Sequence, residues 1–488
     1  MKVLDQRHLP EERLSTMDET GKRVYIFPAQ VKGIFRRYRT IVQVILILFF
    51  LFLPWVKIGG HQAVLLDIAQ RKFAIFGLTF WAHDGPLIFF LLAALCLGLA
   101  FVTAIWGRIW CGWACPQTVF IDGVFRRIEY WVIGSHIKQM NLAKAPISGE
   151  KLLKYSGTWI LFTVISLIIA HSFLAYFVGA ERLVEMTQHN PGENWTVFLI
   201  MAFITAVLLF DFGWFREQFC IIMCPYGRFQ SVLMDDDSLT VSYDPVRGEP
   251  RRGTTKPGEA EGDCINCYKC VVVCPTGIDI RRGLQMECVG CTACIDACDE
   301  VMEKIGKPRG LIRYATGNSL KGMKSKFLTP RVAIYSVMLV LAVSLLAVNI
   351  SRREDIVVTI LRGKDTPYQV IGRERHDEDD EKETDEEISD LQIINHFKVH
   401  MKNQSFDDVS LRMAVPDVWK EKDIEVISPG DKFHLQAGKD LTAHFFVKFP
   451  GEITEDTGSQ SIKLIFVDTE KNQIKFEKDL RLVGPRSF

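Results

Sequence analysis

Three signatures are missing from this 488-residue sequence. It has no C-x-x-C-H for covalent haem, no phosphate-binding glycine loop and no nucleophile elbow, so neither attached haem nor a nucleotide is implied. Net charge is missing as well. Lys plus Arg and Asp plus Glu balance at 58 each, which gives no bias toward nucleic acid or another polyanionic partner. No cysteine follows Cys298, so nothing in the C-terminal portion depends on a disulfide. A cleavable signal peptide is not expected either, because the first 40 residues are polar and include nine Lys or Arg.

What the sequence does contain is a dense block of cysteine. Cys264, Cys267, Cys270 and Cys274, with Pro275 behind them, form one C-x2-C-x2-C-x3-C run. Cys288, Cys291, Cys294 and Cys298 form a second. A cubane iron–sulfur cluster needs four thiolates, and a tight C-x2-C-x2-C loop supplies three, so each run takes its fourth ligand from the other. The expected ligand sets are therefore Cys264, Cys267, Cys270 and Cys298 for one [4Fe–4S] cluster, and Cys274, Cys288, Cys291 and Cys294 for the other. C-x2-C is also zinc spacing, but three cysteines at two-residue intervals followed by C-P are rare in zinc sites.

Long apolar runs are the second feature. Five stretches, roughly 40–56, 86–106, 156–178, 195–212 and 332–350, are apolar enough and nearly long enough to cross a bilayer. Residues 1–39 carry nine Lys or Arg and the 107–155 loop seven, against three in 57–85 and one in 179–194. The positive-inside rule then places the N-terminus, the 107–155 loop and the 213–331 segment in the cytoplasm, and the region beyond residue 350 outside it. Expected domains are a cytoplasmic segment 1–39, a four-helix membrane core 40–230, a cytoplasmic ferredoxin-like domain 231–331, a fifth span 332–350 and an exported domain 351–488.

The exported region alternates apolar and polar residues in short stretches separated by turns such as Pro429-Gly430-Asp431, which predicts about seven strands in an antiparallel sandwich of immunoglobulin type. Residues 374–387 are an acidic block, ten of fourteen being Asp or Glu, and read as a solvated loop rather than a cation site.

Four more cysteines repeat a pattern. Cys111 and Cys115 lie in W-C-G-W-A-C-P, Cys220 and Cys224 in F-C-I-I-M-C-P, each just past an apolar span and 109 residues apart. Spans one–two and three–four thus form a parallel internal repeat that brings the two pairs toward each other. Positions i and i+4 share a helix face. The following prolines, Pro116 and Pro225, put the second thiol at a turn. Paired soft thiolates select soft ions, Cu(I) above all, or cycle through a disulfide. Small apolar packing is the alternative, and it is the expected role of Cys96 and of Met223. His171, within a span, is a functional candidate or an interfacial anchor, and His61 and His83, in the 57–85 loop, are weaker candidates for copper contact.

The order of four-span core with twin C-x3-C-P motifs, two-cluster ferredoxin segment, fifth span and sandwich tail resembles the CcoG family, also called FixG or RdxA, over nearly the whole chain. The resemblance implies an inner-membrane protein that reduces Cu(II) to Cu(I) while copper is delivered to a cbb3-type cytochrome c oxidase. On that reading the eight ferredoxin cysteines hold clusters, and Cys111, Cys115, Cys220 and Cys224 handle copper. It further implies copper ions, a copper transporter, copper chaperones and oxidase subunits as partners, with membrane lipid around the core. The cytoplasmic electron donor is not identified by the sequence. Asp299 departs from the common ferredoxin pattern, in which proline often follows the fourth cysteine. Two other readings are a quinol-oxidising electron-transfer subunit similar to NapH-type ferredoxins and a copper-holding scaffold with structural clusters.

Overall fold

The computed structural model describes residue 16 and residues 23–486, apart from 59, 70–71, 82–84, 255–259, 364–365, 372–390, 406 and 470–472. His83 and the acidic block 374–387 lie outside the described residues. The chain divides into two compact units, one dominated by residues 23–349 and the other by residues 350–486.

The first unit is helical because its apolar runs are rich in Leu, Ile, Phe and Ala. Among the described residues, five helical segments are long and apolar enough to cross a bilayer: Ile34–Trp55, Gly85–Trp106, Gly149–Val178, Trp195–Phe215 and Pro330–Ser351. These make the chain a membrane protein. The regular helices within them are α1 (Ile34–Phe52), α2 (Gly85–Trp106), α3 (Gly149–Val178) and α4 (Trp195–Leu208). The first span starts well before the apolar run does, at Ile34, because a distant residue caps it. Gly33 offers no side chain, and the Asp296 carboxylate accepts from the backbone N–H of Phe35 at 3.1 Å and Arg36 at 2.7 Å. A Cβ on Gly33 would overlap that carboxylate. α2 ends at Gly107, where φ is +54° and a Cβ would lie 2.8 Å from the Leu239 carbonyl. α3 starts conventionally, Ser148 accepting from the Lys151 N–H at 3.2 Å. α4 continues as a π-helix over Leu209–Phe215, which carries Asp211.

Between α4 and the last span, α6 (Pro330–Ser351), lies the ferredoxin segment. Its strands β1 (Thr240–Tyr243) and β2 (Ile312–Ala315) pair antiparallel, Thr240 opposite Ala315. Helix α5 (Ala293–Lys304) follows the second cysteine loop. Val241, Val271, Ile280, Ile295, Met302 and Leu311 form a core against which the cysteines pack. Cys96 is exposed on α2 rather than packed within the protein, since the lipid-facing side of a span needs no protein neighbour.

The second unit is all β. Its strands are β3 (Ile356–Arg362), β4 (Gln369–Ile371), β5 (Gln392–Asn403), β6 (Val409–Ala414), β7 (Glu425–Ile427), β8 (Phe433–Leu435), β9 (Asp440–Pro450), β10 (Ser459–Asp468) and β11 (Gln473–Val483). They form two antiparallel sheets, β7-β9-β5-β3 with β4 also on β5, and β8-β6-β10-β11. Burial along β5 alternates residue by residue, as period-two patterning requires. Phe397, Phe445 and Phe449 of one sheet and Leu411, Leu464 and Phe466 of the other share one core, a two-sheet sandwich.

Candidate functional site

The two cysteine runs fold in the same way. In the first, Asn266 and Tyr268 adopt the left-handed conformation, with φ of +57° at both; in the second, Gly290 and Thr292 do so, with φ of +65° and +63°. The offsets match, one residue before and one after the middle cysteine. Left-handed non-glycine residues are costly and cluster where a loop must wrap a centre. Here they curl each C-x2-C-x2-C so that its thiols face one space. Tyr268 and Thr292 then cap the helices Lys269–Val272 and α5. Arg281 braces the first loop, reaching Asn266 Oδ1 at 2.7 Å, pairing with Asp279 at 2.7 Å and stacking over the Tyr268 ring.

Each curl lines a small cavity of about 20 Å³. Cys264, Cys267, Cys270 and Cys298 line one, together with Tyr243, Tyr268 and Met302. Cys274, Cys288, Cys291 and Cys294 line the other, with Val241, Ile278 and Ile280, and Cys270 touches it from the wall between. The fourth thiol of each set comes from the other run. Burial pushes the Cys274 and Cys298 thiols up to about 12, and Cys270, Cys288 and Cys294 upward too; neighbouring thiols of the same cavity add to the shift. The backbone N–H of Gly290 points to Cys288 Sγ at 3.4 Å, and Thr276 Oγ1 lies 3.4 Å from Cys274 Sγ. Polar hydrogens aimed at sulfur inside apolar walls suit an iron–sulfur cluster. Among the described residues, no three His, Cys, Asp or Glu side chains converge on a single-ion point. The four thiols of each set line one space.

The twin motifs sit beside this segment. Cys111 belongs to the short helix Ile109–Trp113, and Cys115 is the extended residue before the helix Pro116–Phe120. Cys220 lies in the π-helix Phe219–Met223, and Cys224 is the extended residue before the helix Pro225–Leu233. The proline turn thus forms in both copies, but the winding before it differs. The structure brings the pairs together: Cys115 raises the Cys220 thiol after burial has done so, and Cys224 raises those of Cys111 and Cys115. Burial takes Cys111 to about 12, opposed by a Gln230 Nε2–H donated to its sulfur at 3.1 Å and by Arg108. Met223 is 61% exposed and does not turn inward.

The junction between motif and ferredoxin segment runs through residues that spacing did not single out. A Cβ on Gly112, inside the first C-x3-C, would overlap the Gly290 carbonyl, and one on Gly290 would lie 2.8 Å from the Arg108 carbonyl. Buried Arg39 donates to Gly112 O at 2.6 Å and to Cys291 O at 3.4 Å. Arg108 donates to Cys288 O at 2.6 Å and also to Met286 O. Arg39 and Arg108, adjoining apolar spans yet 4% and 6% exposed, carried one readable signal: a buried charge needs a partner. His61 lies in a two-residue strand opposite Ile58, and His171 Nδ1 lies 3.2 Å from its own helix's Leu167 carbonyl.

Comparison with known proteins agrees with this geometry. Residues 215–317 match a family described as a 4Fe-4S dicluster domain. A second family, described as a 4Fe-4S binding domain, matches twice, at 87–137 and 193–235, once over each C-x3-C-P copy. Protein RdxA of Cereibacter sphaeroides is 36% identical over 413 residues, 80% of this chain and 82% of that protein. The nitrogen fixation protein FixG of Rhizobium meliloti is 39% identical over 306 residues, 60% of this chain and 58% of its own. Protein RdxB of Cereibacter sphaeroides is 41% identical over 304 residues, 60% of this chain and 63% of its own. The chain belongs to the CcoG/FixG/RdxA family, as a membrane-bound 4Fe–4S electron-transfer protein.

Proposed function

We propose that this protein reduces Cu(II) to Cu(I) in the inner membrane for assembly of a cbb3-type cytochrome c oxidase. Cys264, Cys267, Cys270 and Cys298 hold one [4Fe–4S] cluster and Cys274, Cys288, Cys291 and Cys294 the other. When bound, such clusters supply one-electron transfer, which matches the Cu(II)/Cu(I) couple. Cys111, Cys115, Cys220 and Cys224 present soft sulfur to copper. The observation that carries the reading is the backbone contact of Gly112 with Gly290, which sets the first C-x3-C against the loop bearing Cys288 and Cys291. Arg39 and Arg108 pin that contact, so the two thiol sites keep a fixed separation.

The N-terminus and ferredoxin segment face the cytoplasm on this reading, and the sandwich faces the periplasm. On this reading the sandwich is immunoglobulin-like without the disulfide, and the strand orders β3-β5-β9 and β6-β10-β11, which match A-B-E and C-F-G, support it. A reporter fused after Phe488 is expected to be active in the periplasm and one near Gly262 in the cytoplasm. Both on one side would remove the fifth span or one of the first four.

The test of function supplies purified, cluster-loaded protein with a chemical reductant and Cu(II) and follows Cu(I) with a chromogenic chelator. Reduction that disappears in Cys111→Ser/Cys115→Ser, with iron content intact, supports the reading. Reduction at the wild-type rate in the quadruple serine variant moves copper elsewhere. A second reading, quinol as reductant, is favoured by an apolar cavity of about 500 Å³ lined by Phe50, Phe120, Phe203 and Phe212 that reaches Ala114, Pro116 and Gln117 beside Cys115. A quinol analogue reducing the clusters directly would select it.

A further inference from the structure

A second cavity, on the side of the ferredoxin segment facing the start of α1, is not used by the scheme above, although Arg39 and Cys291 border it. It holds about 640 Å³, and it is walled by Lys32, Arg36, Arg39, Arg126, Arg127 and Lys269. Its acids are Asp122 and Glu300. Asp122 is already shared among Arg36, Arg39 at 3.0 Å and Arg126 at 3.9 Å. Glu300 is shared between Lys269 and Lys304, each at 2.6 Å. Among the described residues Lys32 and Arg127 pair with no carboxylate, Arg127 being held by Thr40 Oγ1 at 3.1 Å. Arg126 is 5% exposed, and its Nε–H has no partner. Lys32 is exposed and solvated, so the cost falls on the buried Arg126 donor and on part-buried Arg127, and an anion that met them would remove it.

We propose that this cavity binds a phosphate group, that of an acidic phospholipid headgroup. Planar guanidinium forks match phosphate oxygens, and basic pockets at the ends of spanning helices are suited to acidic headgroups. The position fits, because Arg36, Arg39 and Thr40 belong to the first turns of a span. The size fits a headgroup with its glycerol better than a bare ion. A soluble phosphate compound offers the same chemistry from another source. Cys291 and Pro275 also line this cavity, so bound negative charge disfavours adding an electron next door. That last effect rests on the cluster reading; binding itself does not.

The test uses the full-length, cluster-loaded protein in neutral detergent, with retention of phosphatidylglycerol against phosphatidylcholine read by native mass spectrometry. Wild type is expected to retain phosphatidylglycerol preferentially. Arg127→Gln and Lys32→Gln should each weaken it about fivefold, the contribution of one cation near an acidic headgroup. Arg37→Gln, outside the cavity on the same helix turn, should leave it unchanged. In the second arm, inorganic phosphate and AMP are titrated by calorimetry. If they bind in an Arg127-dependent way and phosphatidylglycerol does not, the phosphate site stands and the lipid source is overturned. If Arg127→Gln and Lys32→Gln bind every probe as wild type does, or if Arg37→Gln loses as much, the site is overturned. An EPR redox titration should show one cluster at lower potential with phosphatidylglycerol than without, in wild type but not in Arg127→Gln. An unchanged potential with intact binding overturns the coupling.

Discussion

The two C-x3-C-P copies share spacing, a preceding aromatic and a following proline turn, yet their surroundings are opposite in charge and contact. At matched positions before the first cysteine stand Arg108 and Glu217. Arg108 counters the upward shift that burial imposes on the Cys111 thiol, whereas Glu217 adds to the shift at Cys220. Gly112 in the first copy admits the Gly290 backbone; its counterpart is Ile221, a buried apolar side chain. The first copy is α-helical before its turn and the second is π-helical. The two copies thus differ in contact: the first meets the ferredoxin segment at Gly112, and the second carries the buried Ile221 at the matched position.

The largest expected effect tests the ferredoxin cysteines on which the comparison depends. Cys298→Ser and Cys288→Ser should each lose about half of roughly eight irons per chain, and Cys298→Ser should lose the same EPR signal as Cys264→Ser. If Cys298→Ser instead removes the signal lost in Cys288→Ser, the crossed ligand sets are wrong.

Next come the copies themselves. Cys111→Ser/Cys115→Ser should cut Cu(II) reduction by at least about 100-fold, beyond the 10- to 100-fold of a lost outer-shell partner. Cys220→Ser/Cys224→Ser should cut it less, and both should keep the iron–sulfur spectrum. Equal losses would erase the asymmetry. Cysteine to serine is nearly isosteric, so pure packing predicts a stability change with copper chemistry untouched.

The glycine contact is expected to matter less. Gly112→Ala forces Gly290 away and should cost about 1–3 kcal/mol in thermal stability, as overpacking does. It should also slow Cu(II) reduction at full iron content. Ile221→Val, at the matched position, should cost about 0.5–1.5 kcal/mol and leave the rate alone. A normal rate in Gly112→Ala would detach function from the junction.

The smallest effect on copper chemistry concerns Arg108. Arg108→Gln leaves the Met286 and Cys288 carbonyls short of a partner, a loss of about 1–3 kcal/mol. It also removes the cation that favours the Cys111 thiolate, so the thiol pKa rises further and alkylation of Cys111 at fixed alkaline pH should slow. Faster alkylation would mean that Arg108 acts by shielding rather than by charge.

Much of this protein was legible from order and spacing. Cysteine intervals alone propose Cys298 as the partner of Cys264, Cys267 and Cys270, because a loop of that length reaches only three corners of a cube, and those four line one cavity. Apolar run lengths located the five spans, and the period of two located seven of the nine described sandwich strands, missing the short Gln369–Ile371 and Glu425–Ile427, since both patterns are written in neighbouring residues. The tertiary structure decided the rest. Asp296 starts α1 from 261 residues away, Arg39 reaches the Cys291 carbonyl across 252 residues, and Gly112 meets Gly290 backbone to backbone. No local periodicity encodes such pairs. They exist because buried backbone N–H and C=O groups and buried guanidinium ions must find partners, and the partners that complete them are chosen by packing in space.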